Sequence, residues 1–345
     1  MKLKFLMVAI VSVFILIGCS NTEDGLLENP YQETDFYIGT VINLSVYDED
    51  KEYVIEESME LIDELEHMLS EEIDTSVVSE INRQAGIEPV EVPDELYELM
   101  EVSLKFGEDS DGGFDVTVGP LTDLWRIGYD DARVPSQAEI DEVLKRIDHE
   151  SVVLNEENQT VFLEQEGMEL DLGAIAKGYI TDKVNELMEE EGVRSAILDL
   201  GGNIFVRGHR PSGDKFTIGV QNPYEPRGEI AGRIRSTDES VVTSGIYERY
   251  IEEDGVKYHH LLNPDTGYPF DNEIAGVTII SENSTDGDAL STVVFAKGLE
   301  DGIDYIESLD DAEAIFVSRD KEIILSSGVE DEFELINDDF EVIDY

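Results

Sequence analysis

The chain has 345 residues, of which 81 are acidic and 23 basic, so its formal net charge is −58. A surface of this charge disfavours nucleic acid and anionic membrane faces as partners, because like charges would have to be brought together. Any anionic ligand must therefore be held by metal ions, by backbone N–H groups or by the few basic residues.

The N-terminus has the pattern of an exported lipoprotein. Two lysines precede an apolar run over 5–17, and the sequence Leu-Ile-Gly-Cys that follows resembles a lipobox ending at Cys19. This is the chain's only cysteine, so it cannot form an internal disulfide. We predict a signal peptide over 1–18, Cys19 as the lipid anchor of an extracytoplasmic protein, a tether over 19–34 and one domain over 35–345. An ordinary transmembrane anchor is the alternative.

The first half of the domain mixes helix and strand signals in chain order. Segment 36–48 alternates like a strand, and 51–69 has apolar residues at helical spacing. Further helices are predicted over 93–106 and 136–147, and strands joined by polar turns over 151–172. Segment 111–125 is too rich in Gly and Pro for either element.

The second half is mainly short strands. A helix follows residue 176 and stops at Gly192, short strands fill 195–281, a last helix covers 285–298, and strands at 312–318 and 322–326 complete the chain. Strands and helices do not alternate regularly, and no linker or internal repeat is present. The pattern predicts a single α+β domain with an antiparallel or mixed sheet packed by helices.

The segment "DLGAIAKGY" at 171–179 lies at a predicted strand-to-helix junction. It has neither a Walker loop nor a dinucleotide fingerprint, yet the N–H groups of a helix start favour an anion. Lys177 would lie in the first turn, where a cation opposes the helix dipole unless a negative group is also present. A phosphate-binding turn and a simple packing turn both remain open.

The segment "TDGDALST" at 285–292 places Asp288 and Thr292 four residues apart, on one helical face. A carboxylate and a hydroxyl there suit a hard cation such as Mg²⁺, with room for phosphate oxygens. Capping of the helix by Asp286 or Asp288 is the alternative.

The segment "YHHLLNPDTGYP" at 258–269 carries two adjacent histidines into a turn. Neighbours on a strand point to opposite faces, so His259 and His260 do not share a metal, and one of them faces a site. His260 is a candidate general base near neutral pH, with a structural role as the alternative. A hydrolytic triad of Ser244, His260 and a carboxylate is weakly supported, because the chain has no GxSxG elbow.

Six motifs, in this order, resemble those of the ApbE family, the FAD:protein FMN transferases: "GGFDVTVGPLTDLW", "DLGAIAKGYITDKV", "AILDLGGNIFVRG", "VVTSGIYERY", "HHLLNPDTGYP" and "DGDALSTVVFAKG". The resemblance covers about 35–325. It implies a T-fold-related α+β domain that uses FAD as substrate and Mg²⁺, or Mn²⁺ in its place, as cofactor. A Thr or Ser hydroxyl of another protein would attack the FMN-side phosphorus, releasing AMP and leaving FMN in a phosphoester.

The resemblance also implies roles for individual residues. Asp288 and Thr292 correspond to side-chain metal ligands, Ala174 to a ligand through its carbonyl, and His260 to the base. The residues expected to contact FAD are Ile38, Gly113, Phe114, Asp115, Lys177, Asp199, Gly201, Gly202, Asn203, Ser244 and His260.

Three positions depart from the family pattern. Ile38 replaces a frequent methionine, Glu72 falls where an aromatic ring often stacks on FAD, and Asn263 replaces a frequent aspartate. The chain contains no acceptor motif of the type D-x-x-[ST]-G-A-T. The resemblance therefore implies a separate acceptor, such as Rnf or Na⁺-pumping quinone reductase subunits or FMN-binding-domain proteins. A metal-dependent FAD pyrophosphatase giving FMN and AMP, and an FAD-binding lipoprotein without catalysis, are the alternatives.

Overall fold

A computed structural model describes residues 25–343 of the chain. The predicted signal peptide over 1–18 and the predicted lipid anchor Cys19 lie outside these residues. Eight α-helices occur within the described part, together with two 3₁₀ turns at Leu144–Arg146 and His149–Ser151. The helices are α1 Tyr53–Leu69, α2 Val77–Arg83, α3 Asp94–Asp109, α4 Gly119–Trp125, α5 Gln137–Val143, α6 Ala176–Glu190, α7 Ser284–Lys297 and α8 Leu299–Glu307.

Seventeen strands accompany the helices over the same residues. They are β1 Leu26–Tyr37, β2 Thr40–Asp48, β3 Val90–Glu91, β4 Val152–Asn155, β5 Thr160–Leu163, β6 Ala196–Leu200, β7 Asn203–Arg207, β8 Phe216–Gln221, β9 Ile230–Ser236, β10 Glu239–Gly245, β11 Tyr250–Glu253, β12 Val256–His259, β13 Ile274–Ser281, β14 Ala312–Ser318, β15 Glu322–Leu325, β16 Phe333–Leu335 and β17 Glu341–Ile343. Between residues 25 and 343, no helix combines the length and the apolar character needed to cross a membrane.

Nine of these strands form the central sheet, in the order β1-β2-β6-β7-β10-β13-β14-β15-β17. Neighbours pair antiparallel except β15 and β17, which pair parallel. The predicted α+β class with a mixed sheet is thus confirmed. All residues of β13 are buried, because this central strand is covered on both faces.

Helices cover one face of the sheet and a small sheet covers the other. The largest core cluster joins β2 and β6 side chains such as Leu44 and Leu198 to α1 and α6, and a second cluster places α7 and α8 on β13 and β14. On the opposite face, the three-stranded sheet β16-β9-β8 packs through Phe216 and Ile234 against Val241 and Ile315.

The ordered fold begins earlier than the predicted boundary at residue 35. Strand β1 starts at Leu26 and pairs with β2, so residues 26–34, assigned to the tether, lie in the sheet. The register shifts between Leu26 and Tyr31, around Pro30. Proline lacks the N–H that a ladder needs and is accepted on an edge strand such as β1, so its presence did not rule out a strand.

The assignment of 111–125 as neither helix nor strand is wrong for its last part, which forms α4. Pro120 lies in the first turn, where a missing N–H costs no helical hydrogen bond. Arg126, with φ of 52°, ends the helix in the left-handed region. Helices α2 and α8 and strands β3, β16 and β17 were not predicted at all.

Candidate active site

A cavity of about 720 Å³ lies between the β1–β2 turn, the start of α6, helix α7 and the segment that follows β12. Twelve of the residues predicted from the sequence line it: Ile38, Gly113, Phe114, Asp115, Ala174, Lys177, Gly201, Asn203, Ser244, His260, Asp288 and Thr292. Segments far apart in the chain are therefore brought together as predicted. Asp199 and Gly202 are not among the lining residues.

Lys177 and Asp288 meet where α6 begins beside α7. The Lys177 ammonium lies 3.0 and 3.1 Å from the two Asp288 carboxylate oxygens, and Asp288 also accepts a hydrogen bond from the Gly178 N–H at 3.0 Å. Asp288 is 3% exposed. The Asp288 charge compensates for Lys177, because the dipole of α6 disfavours a cation in its first turn. The Asp288 carboxylate also accepts from a first-turn N–H group of α6 that has no partner within the helix.

Asp182 of α6 likewise accepts hydrogen bonds from the first turn of α7. Its carboxylate accepts from the N–H groups of Ser284 and Thr285 at 2.7 and 2.8 Å and from the Thr285 hydroxyl at 2.5 Å. Burial raises the pKa of Asp182, and these donors oppose the shift. The two helices thus cap each other through Asp288 and Asp182, which fixes the α6–α7 junction at the cavity.

The cap of α7 on its own chain is Asn283, whose side chain accepts from the Asp286 N–H at 2.9 Å. Neither Asp286 nor Asp288 therefore caps the helix that carries it. The capping alternative for Asp288 was wrong for α7, but Asp288 does serve α6. A partner helix from another part of the chain cannot be read from sequence spacing.

The predicted metal ligands are consistent with a hard cation. Ala174, Asp288 and Thr292 all line the cavity and offer a carbonyl, a carboxylate and a hydroxyl oxygen. No group of three or more His, Cys, Asp or Glu side chains suited to a metal occurs in residues 25–343. A single carboxylate with neutral oxygens suits Mg²⁺, which keeps several water or phosphate ligands, better than a metal that needs a full protein cage.

The two adjacent histidines separate as predicted. His259 is buried and its Nε2 lies 3.0 Å from the Phe270 carbonyl oxygen, whereas His260 lines the cavity. His260 Nδ1 lies 3.3 Å from the Arg249 carbonyl oxygen. A carbonyl can only accept, so this contact assigns the proton to Nδ1 and leaves Nε2 as the basic nitrogen. Burial, with the nearby charge of Arg249, lowers the pKa of His260 to about 3.

Ser244 does not form a triad with His260. Its hydroxyl pairs with the Ser291 hydroxyl at 2.8 Å, and Ser291 in turn donates to the Asp288 carbonyl oxygen at 2.7 Å. Ser244 therefore links β10 to the turn of α7 that carries Asp288. The hydrolytic triad considered from the sequence is absent from the described part of the chain.

The side chains of Phe114 and Asp115 in the segment 113–115 are engaged within the protein. Phe114 is 1% exposed and belongs to the main core. The Asp115 carboxylate accepts from the Thr117 N–H and hydroxyl at 2.7 and 2.6 Å and from the His149 N–H at 3.0 Å. It also lies 3.2 Å from His149 Nδ1, and this contact raises the pKa of His149. Asp115 is thus committed to fixing the loop that shapes the cavity wall.

The glycine pair after β6 forms a two-residue hairpin turn. Gly201 and Gly202 have φ of 69° and 99°, as a type I′ turn requires. The Asp199 carboxylate accepts from the Gly202 N–H at 3.0 Å, so Asp199 supports the turn. The turn places Asn203 at the cavity wall, 1% exposed, with its Nδ2 group lacking a hydrogen-bond partner.

Ile38 occupies the turn between β1 and β2 in an unfavourable conformation for a β-branched residue, with φ of 53°. Two contacts hold this turn. The Ile38 N–H donates to the Glu66 carboxylate at 2.7 Å, and the Arg249 guanidinium donates to the Gly39 carbonyl at 3.0 Å. Strain held in this way is a feature of functional sites.

Sequence reasoning missed an acidic part of the cavity. We call Glu71, Glu72, Asp123 and Asp171 the acidic side. Burial raises the pKa of Glu71 to about 8, and the neighbouring Asp171 charge adds to the shift. Arg126 is the basic residue of this region, and its guanidinium lies 3.0 Å from Glu72. The departure at Glu72 was the sole sequence signal for this region.

Tyr129 completes the acidic side. Its ring lies under the Arg126 guanidinium at 4.0 Å from the centroid, and burial together with Glu72 raises its pKa to about 12. An aromatic ring is therefore present in this region although position 72 does not supply one.

Comparison with known proteins identifies the family. The sequence matches the ApbE family over residues 38–316. A FAD:protein FMN transferase of Klebsiella pneumoniae is 38% identical over 91% of this chain and 97% of its own. A FAD:protein FMN transferase of Treponema pallidum is 36% identical over 95% of each chain.

Solved structures agree with the sequence comparison. The ApbE protein of Thermotoga maritima superposes with a TM-score of 0.80 at 34% identity, covering 87% of this chain and 98% of its own. The flavinyl transferase ApbE of Pseudomonas stutzeri gives a TM-score of 0.74 at 28% identity, covering 84% and 92%. This chain therefore belongs to the ApbE family.

Proposed function

We propose that this cavity binds FAD together with Mg²⁺, or Mn²⁺ in its place, and transfers FMN to a Thr or Ser hydroxyl of an acceptor protein. Family membership and relatives of the same activity at up to 38% identity make the chain an FAD:protein FMN transferase. The metal, the acceptor group and the residue roles are our proposal. The observation that carries it is the contact of Lys177 with Asp288, next to the first N–H groups of α6, in the cavity that also contains His260.

The basic groups of the cavity determine where the diphosphate binds. Lys177, Arg227 and Arg249 line the cavity together with Glu248; desolvation raises the pKa of Glu248, and the charges of the three basic residues oppose this shift. We call these three residues and His260 the basic side. Phosphate oxygens are repelled by the carboxylates of the acidic side, so the diphosphate is expected on the basic side.

Asp288, Thr292 and the Ala174 carbonyl would hold the metal. When bound, a divalent cation neutralises the diphosphate and the charge that develops on the AMP leaving group. Lys177, now paired with Asp288, would then be free to turn towards a phosphate oxygen.

His260 would act as the base. Its Nε2 takes the proton of the acceptor hydroxyl while the new bond between that oxygen and the FMN-side phosphorus forms. The bond from this phosphorus to the AMP oxygen breaks, and AMP leaves as an anion. Nδ1, which contacts the Arg249 carbonyl, fixes the ring orientation during this step.

The test incubates the purified protein with FAD, Mg²⁺ and an FMN-binding-domain acceptor and measures the acceptor mass. We expect a gain of one FMN on a single Thr or Ser, abolished by a metal chelator. Release of free FMN and AMP at the same rate with and without acceptor would instead identify a pyrophosphatase. Bound FAD that is never cleaved would identify a binding protein.

We further propose that the chain is an extracytoplasmic lipoprotein anchored through Cys19, and that its acceptors are Rnf or Na⁺-pumping quinone reductase subunits or FMN-binding-domain proteins. The lipobox-like sequence before the only cysteine supports the anchor. The expectation is that C19S shifts the protein from the membrane fraction to the soluble fraction and prevents incorporation of labelled palmitate. Unchanged membrane association of C19S would favour a transmembrane anchor.

A further inference from the structure

Arg227 is a cavity arginine whose charge acts on the nearby Glu248, where it opposes the raised pKa of that carboxyl. It lies in the β8–β9 loop, it is exposed, and its guanidinium makes neither a hydrogen bond nor an ion pair within residues 25–343. The chain carries 81 acidic and 23 basic residues, so a cavity arginine that forms no ion pair at contact distance is unexpected. The other cavity arginines are engaged, Arg126 by Glu72 and Arg249 by the Gly39 carbonyl.

The loop that carries Arg227 is held firmly. The Gln221 side chain donates to the Asn222 carbonyl at 2.8 Å and accepts from the Gly228 N–H at 2.9 Å. The Asn222 N–H donates to the Glu229 carbonyl at 2.8 Å, which closes the base of the loop. The backbone that carries the Arg227 guanidinium is therefore fixed, which reduces the entropy lost when the guanidinium binds a ligand.

The Arg227 head group lies next to the β6–β7 turn. Its Nη2 atom lies 3.5 Å from the point that a Cβ atom on Gly202 would occupy. The next residue, Asn203, carries the buried Nδ2 group without a partner. Two donors that make no hydrogen bond thus flank one turn of the cavity wall, and one of them, Asn203 Nδ2, is a buried donor of the kind rarely left unpaired without a ligand.

A hydrogen bond to its oxygen fixes the orientation of the Asn203 side-chain amide. Asn203 Oδ1 accepts a hydrogen bond from the Ser284 hydroxyl at the start of α7. The carbonyl oxygen is therefore occupied, and the NH₂ group is the one left for a ligand.

We propose that Arg227 and the Asn203 amide form a donor pair that binds a phosphate group of the dinucleotide substrate. This inference rests on the proposed function, since it requires FAD in this cavity. Guanidinium groups recognise phosphate oxygens through a planar pair of N–H donors, and the amide adds a neutral donor. The two would hold the diphosphate from the wall formed by the β6–β7 turn, while Lys177 acts from the α6–α7 junction.

The test measures binding by calorimetry for the wild type, R227A, R227K and the control R210A. Arg210 is exposed, forms no ion pair within residues 25–343 and lies outside the cavity, so R210A removes the same charge elsewhere. The ligands are FAD, ADP, riboflavin and adenosine. Loss of charge-assisted hydrogen bonds should weaken FAD and ADP binding by R227A by about 10- to 100-fold. Riboflavin and adenosine, which have no phosphate, should bind as to the wild type, and R227K should be intermediate.

Equal weakening of riboflavin and FAD binding, or equal losses in R227A and R210A, would overturn the donor pair while leaving the transferase intact. Wild-type protein that binds no FAD at all would instead remove the proposed function and this inference together. The variant N203A tests the second donor without adding charge, and S284A, which removes the hydroxyl that donates to Asn203 Oδ1, is its control. N203A, unlike S284A, should weaken FAD binding but not riboflavin binding. Should R227A not fold, R227K against R210K gives a matched comparison in which both variants keep the charge.

Discussion

The two sides of the cavity carry opposite charge and are built in different ways. Lys177 of the basic side lies at the α6–α7 junction, where Asp288 and Asp182 each accept hydrogen bonds from the first turn of the neighbouring helix. The other members of the basic side, Arg227, Arg249 and His260, lie in segments that connect strands. The acidic side stands on loops and the short helix α4, and its carboxylates have one cation, Arg126, between them. Burial raises the pKa of Glu71 there to about 8.

The comparison teaches how a chain of charge −58 can bind a dinucleotide. Lys177, at the junction fixed by reciprocal caps, offers a cation for the phosphates together with Arg227 and Arg249, and the carboxylates of the acidic side repel phosphates towards these residues. A carboxyl group with a raised pKa, such as Glu71, can also donate a hydrogen bond to a neutral part of the ligand.

Asp288→Asn should have the largest effect on the basic side. Asparagine can still accept from the Gly178 N–H, but it removes the charge that pairs with Lys177 and the carboxylate that would hold the metal. We expect the rate of FMN transfer to fall by roughly 10³-fold, because a metal contributes several kcal/mol to charge stabilisation. Mass spectrometry of the acceptor measures the rate. The control D286N removes a charge from the same helix outside the cavity, and a similar loss in it would refute the role of Asp288.

His260→Gln should lower the transfer rate by about 100-fold or more while leaving FAD binding in place, as expected for loss of a general base. Because burial lowers the pKa of His260 in the free enzyme, the ring is already neutral at pH 6.5. The wild-type kcat/KM should therefore show no acid limb near pH 6.5, with any limb of this residue lying at lower pH.

The control for this variant is H67Q, which alters an exposed histidine of α1. A wild-type acid limb near pH 6.5 that disappears in H260Q would contradict the lowered pKa. An unchanged transfer rate in H260Q would remove His260 as the base.

Asp182→Ala should destabilise the α6–α7 junction. It leaves two N–H groups and one hydroxyl of α7 without their acceptor, at a cost of about 2–3 kcal/mol in the free energy of unfolding. We expect a melting temperature several degrees below that of the wild type. The control is D141A, since Asp141 is exposed on α5. Equal melting of D182A and D141A would show that the basic side does not depend on reciprocal caps.

Glu71→Gln should have the smallest effect, and on stability. The pKa of Glu71 is raised in the folded state, so the folded protein binds a proton that the unfolded chain has released between pH 4.5 and 8. Stability of the wild type should therefore fall as pH rises through this window. Glutamine removes the contribution and should stabilise the protein above pH 8 by roughly 1–2 kcal/mol, after allowance for partial exposure.

Thermal melting of E71Q against the exposed-site control E57Q between pH 4 and 9 measures this difference. A gain of E71Q that does not change with pH would mean that the acidic side does not hold a protonated Glu71. The transfer rate of E71Q should stay within a few-fold of the wild type, in contrast to D288N.

Local chemistry predicted the elements best where periodicity was strong. The apolar spacing of 51–69 predicted α1, and Val54, Ile62, Leu65 and Leu69 of this spacing are buried in the structure. The predictions failed at prolines, which are excluded from the interior of helices and central strands but accepted in a first helical turn or an edge strand. Pro120 was taken to exclude a helix but lies in the first turn of α4, and Pro30 lies in an edge strand.

The sequence by itself determined the family, the α+β class and, through the family motifs, which segments meet at the cavity. Motifs and hydrophobic periodicity can be read from the order of the residues alone. Tertiary structure alone decided what each side chain does there. Asp288 caps a helix that is not its own, Asp115 accepts hydrogen bonds from His149 and Thr117, and Asp199 supports a turn. Arg227, in no motif, lies beside Gly202 without a hydrogen bond or ion pair in the described residues. These roles depend on which donor lies within about 3 Å in space, and chain spacing does not encode that distance between remote segments.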